Sequence, residues 1–169
     1  MGRQIALSVA IARVDSTVYD LSNDVLEDVK KWFEEYLAGR IEKGRMTQEQ
    51  VDGIKARFHV ESDLQKAVED VDCVIESIIE VEEAKRGFFK AVDAYIDENV
   101  IVATNSSYMV SSLFADCIKN PAMMCNMHFY NPALVMKFVE VVQGPHTAPE
   151  VAEAVYNLAI KMGKKPIWQ

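Results

Sequence analysis

Residues 100–144, VIVATNSSYMVSSLFADCIKNPAMMCNMHFYNPALVMKFVEVVQG, contain two β-rich runs that an Asn-Pro turn signal separates. The first run places His128 among Met, Cys, Phe and Tyr, a composition typical of a buried strand. The second run, residues 137–142, contains Glu140 between two valines. The stretch therefore predicts two neighbouring strands, each carrying one ionisable side chain in an apolar setting.

His128 and Glu140 are the strongest catalytic candidates that the residues themselves offer. A carboxylate set among valines is unfavourable unless it is paired, and a histidine on the neighbouring run is a natural partner. Glu140 would accept the proton of one ring nitrogen, fix the tautomer and raise the basicity of the other nitrogen. The pattern thus predicts a general base with an orienting group. The alternative interpretation is a core histidine that lies near an unrelated carboxylate.

Four segments carry a resemblance to a known family: N-S-S-Y at 105–108, M-H-F-Y-N-P at 127–132, V-M-K-F-V-E-V-V-Q-G at 135–144 and G-K-K-P at 163–166. Together they resemble the nucleotide-binding domain of the L-3-hydroxyacyl-CoA dehydrogenases, the 3-hydroxybutyryl-CoA dehydrogenase group, over nearly the whole chain. The H-F-x-N-P and x-V-E-V-V pair at this separation is far more specific than a lone glycine motif.

The activity that this resemblance implies is NAD-dependent oxidation of (S)-3-hydroxyacyl-CoA to 3-ketoacyl-CoA, or the reverse reduction of acetoacetyl-CoA. Fatty-acid β-oxidation or butyrate metabolism would be the pathway. The resemblance makes His128 and Glu140 the catalytic pair and Ser107 a hydrogen-bonding partner of the reacting oxygen. From the residues alone, Ser107 is explained equally well as a helix N-cap or a turn hydroxyl.

The remaining site residues follow from the same resemblance. Asn131 would lie on the substrate side, and Asn105 near the nicotinamide. Glu80 and Lys85 match family positions at the nicotinamide ribose. Without the resemblance, a Glu-Lys pair in a first helical turn would be interpreted as a solvated surface pair.

Asp20 ends a short β run, residues 16–19. In a dinucleotide-binding fold, an acidic residue that ends the second strand hydrogen-bonds the adenosine ribose hydroxyls. It also repels a 2′-phosphate, which favours NAD over NADP. Standing alone, Asp20 would be a helix-entry residue, but the preceding helical pattern and the resemblance favour the ribose role.

The glycine fingerprint of the family, G-x-G-x-M-G, is represented only by its last two residues, Met1 and Gly2. We therefore expect the full-length protein to have a first strand with the other two glycines. The resemblance also implies an all-helical C-terminal domain through which the full-length protein forms a homodimer. We interpret residues 1–169 as an NAD-binding domain truncated at both ends. Because a central strand is lacking, we expect one of two things. Either the chain alone is marginally stable, or these residues are an excerpt of a longer protein.

Strand and helix patterns alternate along the chain, which predicts an α/β fold, a Rossmann-like, doubly wound and mostly parallel sheet with helices on both faces. Residues 72–79 are a near-continuous apolar run that suits a parallel strand, and Glu76 inside it needs a partner that the sequence does not identify. We further predict a helix over 109–118. Thr147-x-x-Glu150 is a capping box that predicts the start of another helix.

The composition, 50% hydrophobic and 26% charged, is that of an ordinary globular domain. A net charge of -8 argues against nucleic acid and anionic membranes as partners. No apolar run approaches the ~20 residues that span a bilayer. Three cysteines without a C-x-x-C pair and three scattered histidines predict reduced thiols and no metal site. These features predict a cytoplasmic protein, or a mitochondrial matrix protein in a eukaryote.

Two other functions stay open at this point. Dehydrogenases of sugar acids and a lens-protein relative resemble the same group, so the acyl-CoA substrate depends on the closeness of the segments around His128 and Glu140. The other alternative is a catalytically incomplete fragment, or a binding or structural protein that kept the fold. The incomplete glycine loop favours this alternative, whereas the intact candidate residues argue against it.

Overall fold

The computed structural model describes all 169 residues, which form six α-helices and seven β-strands. The helices are α1 (Gly2–Ile11), α2 (Asn23–Glu42), α3 (Gln48–Lys55), α4 (Leu64–Ala67), α5 (Glu82–Asp93) and α6 (Pro149–Lys161). The strands are β1 (Ser16–Tyr19), β2 (Phe58–Glu61), β3 (Cys73–Glu76), β4 (Ile101–Thr104), β5 (Met124–Phe129), β6 (Phe138–Val142) and β7 (Lys165–Trp168). None of the helices combines the length and the apolar character needed to cross a bilayer.

Two compact units make up the chain. The smaller unit is Arg3–Ala67, and the larger unit is Met1–Gly2 together with Val68–Gln169. In the smaller unit β1 and β2 pair in parallel, with Ser16 opposite Phe58. Helix α2 begins at an N-cap, because the Ser22 side chain accepts a hydrogen bond from the amide of Val25. Buried residues recur along α2 at helical spacing: Leu26, Val29, Phe33 and Leu37.

The larger unit contains a five-stranded sheet in the order β3-β4-β5-β6-β7. Strands β3, β4 and β5 are parallel, β6 is antiparallel to β5, and β7 is parallel to β6. This arrangement confirms the predicted α/β class and the mostly parallel sheet. The single reversal, at β6, is the feature that brings the two ionisable strand residues together.

Strand β3 is shorter than predicted, because it stops at Glu76 whereas the apolar run continues to Ile79. The Glu76 carboxylate accepts a hydrogen bond from the backbone amide of Ile78 at 2.7 Å. That local bond turns the chain out of the sheet, and Ile79 is left 68% exposed. An apolar run therefore overestimated the length of the strand.

The helix predicted over 109–118 is wrong. Two short 3-10 turns, Ser111–Leu113 and Ala115–Cys117, occupy this part of the chain. The carbonyl of Leu113 accepts a hydrogen bond from the Arg86 guanidinium at 2.6 Å, and the amide of Ser111 donates to Asn126 Oδ1 at 2.7 Å. A continuous helix would have paired the Leu113 carbonyl internally, and the Ser111 amide would have been one of its unpaired first-turn donors.

The capping box predicted at Thr147 is also wrong. Helix α6 begins at Pro149 with Ala148 as its N-cap and has no side-chain cap. The Thr147 hydroxyl instead donates to the carbonyl of Met124 at 2.6 Å, which ties the start of α6 to β5. The oxygen of this hydroxyl accepts a hydrogen bond from the loop amide of Gly144 at 3.1 Å, rather than from an amide of the first helical turn as a capping box requires.

Candidate active site

Strands β5 and β6 place His128 and Glu140 directly opposite each other, since the two strands are antiparallel and in register at these residues. The imidazole Nδ1 lies 2.8 Å from Glu140 Oε2, so the predicted contact is present. Nδ1 donates to the carboxylate, which leaves Nε2 as the nitrogen able to accept a proton. The side chains are 19% and 25% exposed, so solvent and ligands reach the pair.

The alternation of side chains along the two strands explains why this pair faces away from the core. Met127 lies opposite Val141, and Phe129 lies opposite Val139, and all four side chains are buried. Successive strand residues point to opposite faces of a sheet. The apolar residues therefore occupy one face, and the intervening His128 and Glu140 project from the other.

Tyr130 is a third member of this cluster that the sequence analysis did not identify. Its hydroxyl donates to Glu140 Oε1 at 2.5 Å, the carboxylate oxygen that His128 leaves open. The rings of His128 and Tyr130 lie with their centroids 5.3 Å apart. Residues two apart on an extended chain share a face, so the spacing of His128 and Tyr130 was the signal that could have found it.

The protonation states of the cluster follow from these bonds. The hydrogen bond from Tyr130 is the main cause that lowers the pKa of Glu140, and the bond from His128 is the second. Burial acts in the opposite direction. The pKa of Tyr130 is raised by the same hydrogen bond, because an ionised phenol would lie against a carboxylate. At neutral pH the carboxylate is therefore charged and the phenol neutral.

The segment after β4 carries the predicted residues Asn105 and Ser107. Asn105 Oδ1 accepts a hydrogen bond from the amide of Phe129 at 2.8 Å, which fixes the end of β4 beside the residue that follows His128. Ser107 is exposed. Its neighbour Ser106 is buried and its hydroxyl donates to Glu80 Oε2 at 2.6 Å. The carboxyl ends of β4 and β5 are thus joined at the edge of the sheet where α/β folds bind ligands.

A buried ion pair supports this edge of the sheet. Lys85 Nζ lies 2.6 Å from Glu76 Oε1 and 3.5 Å from Glu80 Oε1. The second oxygen of Glu76 accepts a hydrogen bond from the hydroxyl of Thr104 at 2.7 Å. Lys85 is therefore the partner that Glu76 required. The pair connects β3, β4 and α5.

Glu80 and Lys85, predicted together as ribose-binding residues, lie in different environments. The Glu80 side chain is 37% exposed, whereas the Lys85 side chain is 1% exposed. A carboxylate at the surface is within reach of a ligand, but the ammonium group is enclosed by carboxylates of the protein. Lys85 therefore contributes to this surface indirectly, through its ion pair with Glu80.

Three predicted residues lie outside the strands that carry His128 and Glu140. Gly2 begins α1, and a Cβ atom added there would meet the Cβ of Ser77 at 3.6 Å, an ordinary contact distance. Asn131 is exposed directly after Tyr130. Asp20 belongs to the smaller unit, follows β1 and accepts a hydrogen bond from the amide of Ser22 at 2.9 Å.

The three cysteines are free thiols. Burial raises the pKa of Cys73 and that of Cys125 to about 12 in each case. Both thiols are therefore protonated at neutral pH, and a protonated thiol is a poor nucleophile. The reactive groups of the larger unit are the imidazole and the carboxylates, not the cysteines.

A family model described as "3-hydroxyacyl-CoA dehydrogenase, NAD binding domain" matches residues 1–169. A protein of Bacillus subtilis (strain 168) named "Probable 3-hydroxybutyryl-CoA dehydrogenase" is 36% identical over 167 residues, which are 99% of this chain and 58% of that protein. The alpha subunit of a fatty acid oxidation complex of Idiomarina loihiensis is 30% identical over 99% of this chain and 23% of the subunit. The chain thus spans little more than half the length of the first of these relatives and a quarter or less of the second.

Solved structures resemble the chain closely. The crystal structure of 3-hydroxybutyryl-CoA dehydrogenase from Escherichia coli K12 has a TM-score of 0.95 and 32% sequence identity, over 99% of this chain and 35% of that one. The (S)-3-hydroxybutyryl-CoA dehydrogenase PaaH1 from Ralstonia eutropha has a TM-score of 0.94 and 28% identity, over 99% of this chain and 59% of that one. These likenesses confirm the predicted Rossmann-like fold.

Proposed function

Because this chain belongs to the 3-hydroxyacyl-CoA dehydrogenase family through its NAD-binding domain, we propose that it supplies the cofactor site and the catalytic base of an NAD-dependent dehydrogenase. The substrates we propose are (S)-3-hydroxyacyl-CoA and 3-ketoacyl-CoA. The observation that carries the proposal is the 2.8 Å contact between His128 Nδ1 and Glu140 Oε2. It leaves one imidazole nitrogen available for the proton of an alcohol.

The base in this proposal is His128 Nε2. It takes the proton of the C3 hydroxyl during oxidation and returns it during reduction. Glu140 keeps the tautomer with the proton on Nδ1 and stabilises the imidazolium that forms. Ser107, which is exposed in the segment that follows β4, donates a hydrogen bond to the reacting oxygen. NAD, when bound, supplies the acceptor for the hydride that leaves C3.

The residues proposed to hold NAD fit the polar groups of a dinucleotide. Asp20 offers a carboxylate for the adenosine ribose, and Glu80 offers another for the nicotinamide ribose. Asn105 uses its oxygen on Phe129, so its amide NH₂ is the group left to donate to a ligand. Lys85 contributes by orienting Glu80, and Gly2 by starting α1 without a side chain.

Fatty-acid β-oxidation or butyrate metabolism is the proposed pathway, and it is supported by a relative named as a fatty acid oxidation complex subunit. Homodimerisation of the full-length protein stays a prediction from the sequence resemblance.

The acyl-CoA substrate class is tested by comparing substrates on the complete protein. We expect NADH-dependent reduction of acetoacetyl-CoA, measured as loss of absorbance by NADH, to exceed reduction of free acetoacetate about 10²-fold or more in kcat/KM, since binding of the CoA moiety contributes to transition-state stabilisation. Equal rates on the two compounds would instead favour a hydroxy-acid dehydrogenase. No turnover combined with no NADH binding would favour a binding or structural protein.

Replacing Asp20 with Ala tests the cofactor assignment. We expect NADH to bind about 10- to 100-fold more weakly, because a charged acceptor for the ribose hydroxyls is lost. Binding of NADPH should fall less, since the same change removes a charge that repels the 2′-phosphate. Fluorescence titration with both nucleotides provides the measurement.

The control for this experiment is Asp24→Ala, which removes an exposed carboxylate from the first turn of α2. It should change the affinity for neither nucleotide by more than about 2-fold. An Asp20→Ala variant that binds NADH as the control does would remove Asp20 from the site.

A further inference from the structure

Glu140 is held by two donors, one on each carboxylate oxygen. His128 Nδ1 lies 2.8 Å from Oε2, and the Tyr130 hydroxyl lies 2.5 Å from Oε1. The donors come from consecutive outward-facing positions at the end of β5, two residues apart. The proposed mechanism uses only the first of these bonds and assigns nothing to the second.

We propose that Tyr130 is a positioning residue that acts through Glu140, fixing the carboxylate on His128 and setting how firmly the pair holds its proton. The catalytic part of this inference depends on the proposed function. Its structural part does not, because it concerns a hydrogen bond between two side chains that are both present here.

The need for a positioning group follows from the flexibility and exposure of Glu140. A glutamate side chain has three rotatable bonds, and its terminal torsion is broad. A quarter of the side chain is exposed, and that part has no packing contact to restrain it. One donor on Oε2 leaves the carboxylate free to turn about that contact, whereas a second donor on Oε1 fixes its plane. A fixed acceptor holds the imidazole in one orientation toward the substrate.

The charges around Glu140 are few. Strand β5 contributes the imidazole of His128, and the residue after the strand contributes the phenol of Tyr130. On the other side, β7 places the apolar Ile167 opposite Glu140. Within β6, Phe138 and Val142 flank Glu140 on the same face. The phenol and the imidazole therefore control the basicity of this carboxylate.

The effect of the phenol on the pair has a definite sign. A hydrogen bond from Tyr130 stabilises the carboxylate and makes it a weaker acceptor for the imidazole N–H. Without that bond, the Glu140 carboxylate is a stronger acceptor for the imidazole N–H and stabilises the imidazolium form more strongly. Since oxidation of an alcohol needs the unprotonated base, Tyr130 extends the oxidative reaction to lower pH.

Tyr130→Phe tests this inference while retaining the aromatic ring. We expect the pKa of Glu140, followed by ¹³C NMR of its carboxyl group in the complete protein, to rise, because the hydrogen bond from Tyr130 is the main cause that lowers it. In the complete enzyme, the ascending limb of the pH–rate profile for oxidation should move to higher pH. The matched control is Tyr95→Phe, which removes a phenol that is largely exposed, and it should move neither quantity.

A change in the Glu140 midpoint of less than about 0.2 units would overturn the inference. Because the NMR readout needs no turnover, a shifted midpoint in a protein without dehydrogenase activity would uphold the role of Tyr130 and reject the proposed function. If the Phe variant fails to fold, the Tyr130 phenol is titrated in the unmodified chain and in Glu140→Gln. The phenol should titrate above 10.0 in the first and fall toward that value in the second, and identical midpoints would overturn the inference.

Discussion

Replacing His128 with Gln is expected to lower turnover of the complete enzyme about 10²- to 10⁴-fold, the loss typical of a missing general base. The Gln amide can still donate to Glu140 Oε2, so the local hydrogen bond has a substitute. It has no nitrogen that accepts a proton at neutral pH, and the alcohol therefore has no acceptor for its proton. NADH affinity should stay within about 2-fold, because His128 is not among the proposed cofactor residues.

Steady-state kinetics in both directions, combined with an NADH titration, measure this prediction. His59→Gln is the matched control, since His59 is exposed on β2 in the smaller unit. That variant should retain full turnover. If His128→Gln also retained full turnover, the proton would have another acceptor, and the proposed mechanism would be rejected.

Replacing Lys85 with Met is expected to destabilise the complete protein by about 3–5 kcal/mol, the loss typical when one partner of a buried ion pair is removed. Methionine has a similar length and apolar stem, so the packing of α5 is largely kept. The cost arises because Glu76 stays in the interior without a cation to pair with. Both side chains are almost completely buried, at 1% and 0% exposure, so water cannot take over that role.

Urea denaturation followed by circular dichroism measures this prediction. Lys90→Met, an exposed lysine on the same helix, is the control and should cost less than about 0.5 kcal/mol. Adding Glu76→Gln to Lys85→Met should restore most of the stability, since the neutral amide oxygen still accepts from the Ile78 amide and the amide NH₂ can donate to the Thr104 hydroxyl. A single variant as stable as the Lys90 control would show that the ion pair contributes no stability.

The local features of the candidate site were predictable because they lie within short segments of sequence. Two β-rich runs around an Asn-Pro turn must pair closely, so the contact between His128 and Glu140 followed from their positions in those runs. In the structure, the alternation of large apolar residues places both side chains on the same face. Periodicity and short separation carry this information, and no long-range contact was needed.

The features that were missed depend on contacts between elements of different type, which have no common periodicity, or on competing hydrogen bonds. Glu76 and Lys85 lie on a strand and on the helix that follows it, and no spacing rule relates them. The expected helix over 109–118 was replaced by short turns because Arg86 and Asn126 bind its backbone groups. Tyr130 was overlooked since a tyrosine beside a turn is ordinarily packing, and only the orientation of Glu140 gave its hydroxyl a role.

The antiparallel register of β5 and β6 limits how the intervening turn can evolve. An insertion or deletion of one residue that the turn does not absorb would slip the alignment of the two strands by one position, and a valine would then face His128. Glu140 would be turned into the layer that holds Met127 and Phe129, where a carboxylate has no counterion. A slip of two positions would restore the faces but place Phe138 or Val142 opposite His128. Length variants of this turn should therefore survive selection only where the turn itself absorbs the change and the register is kept.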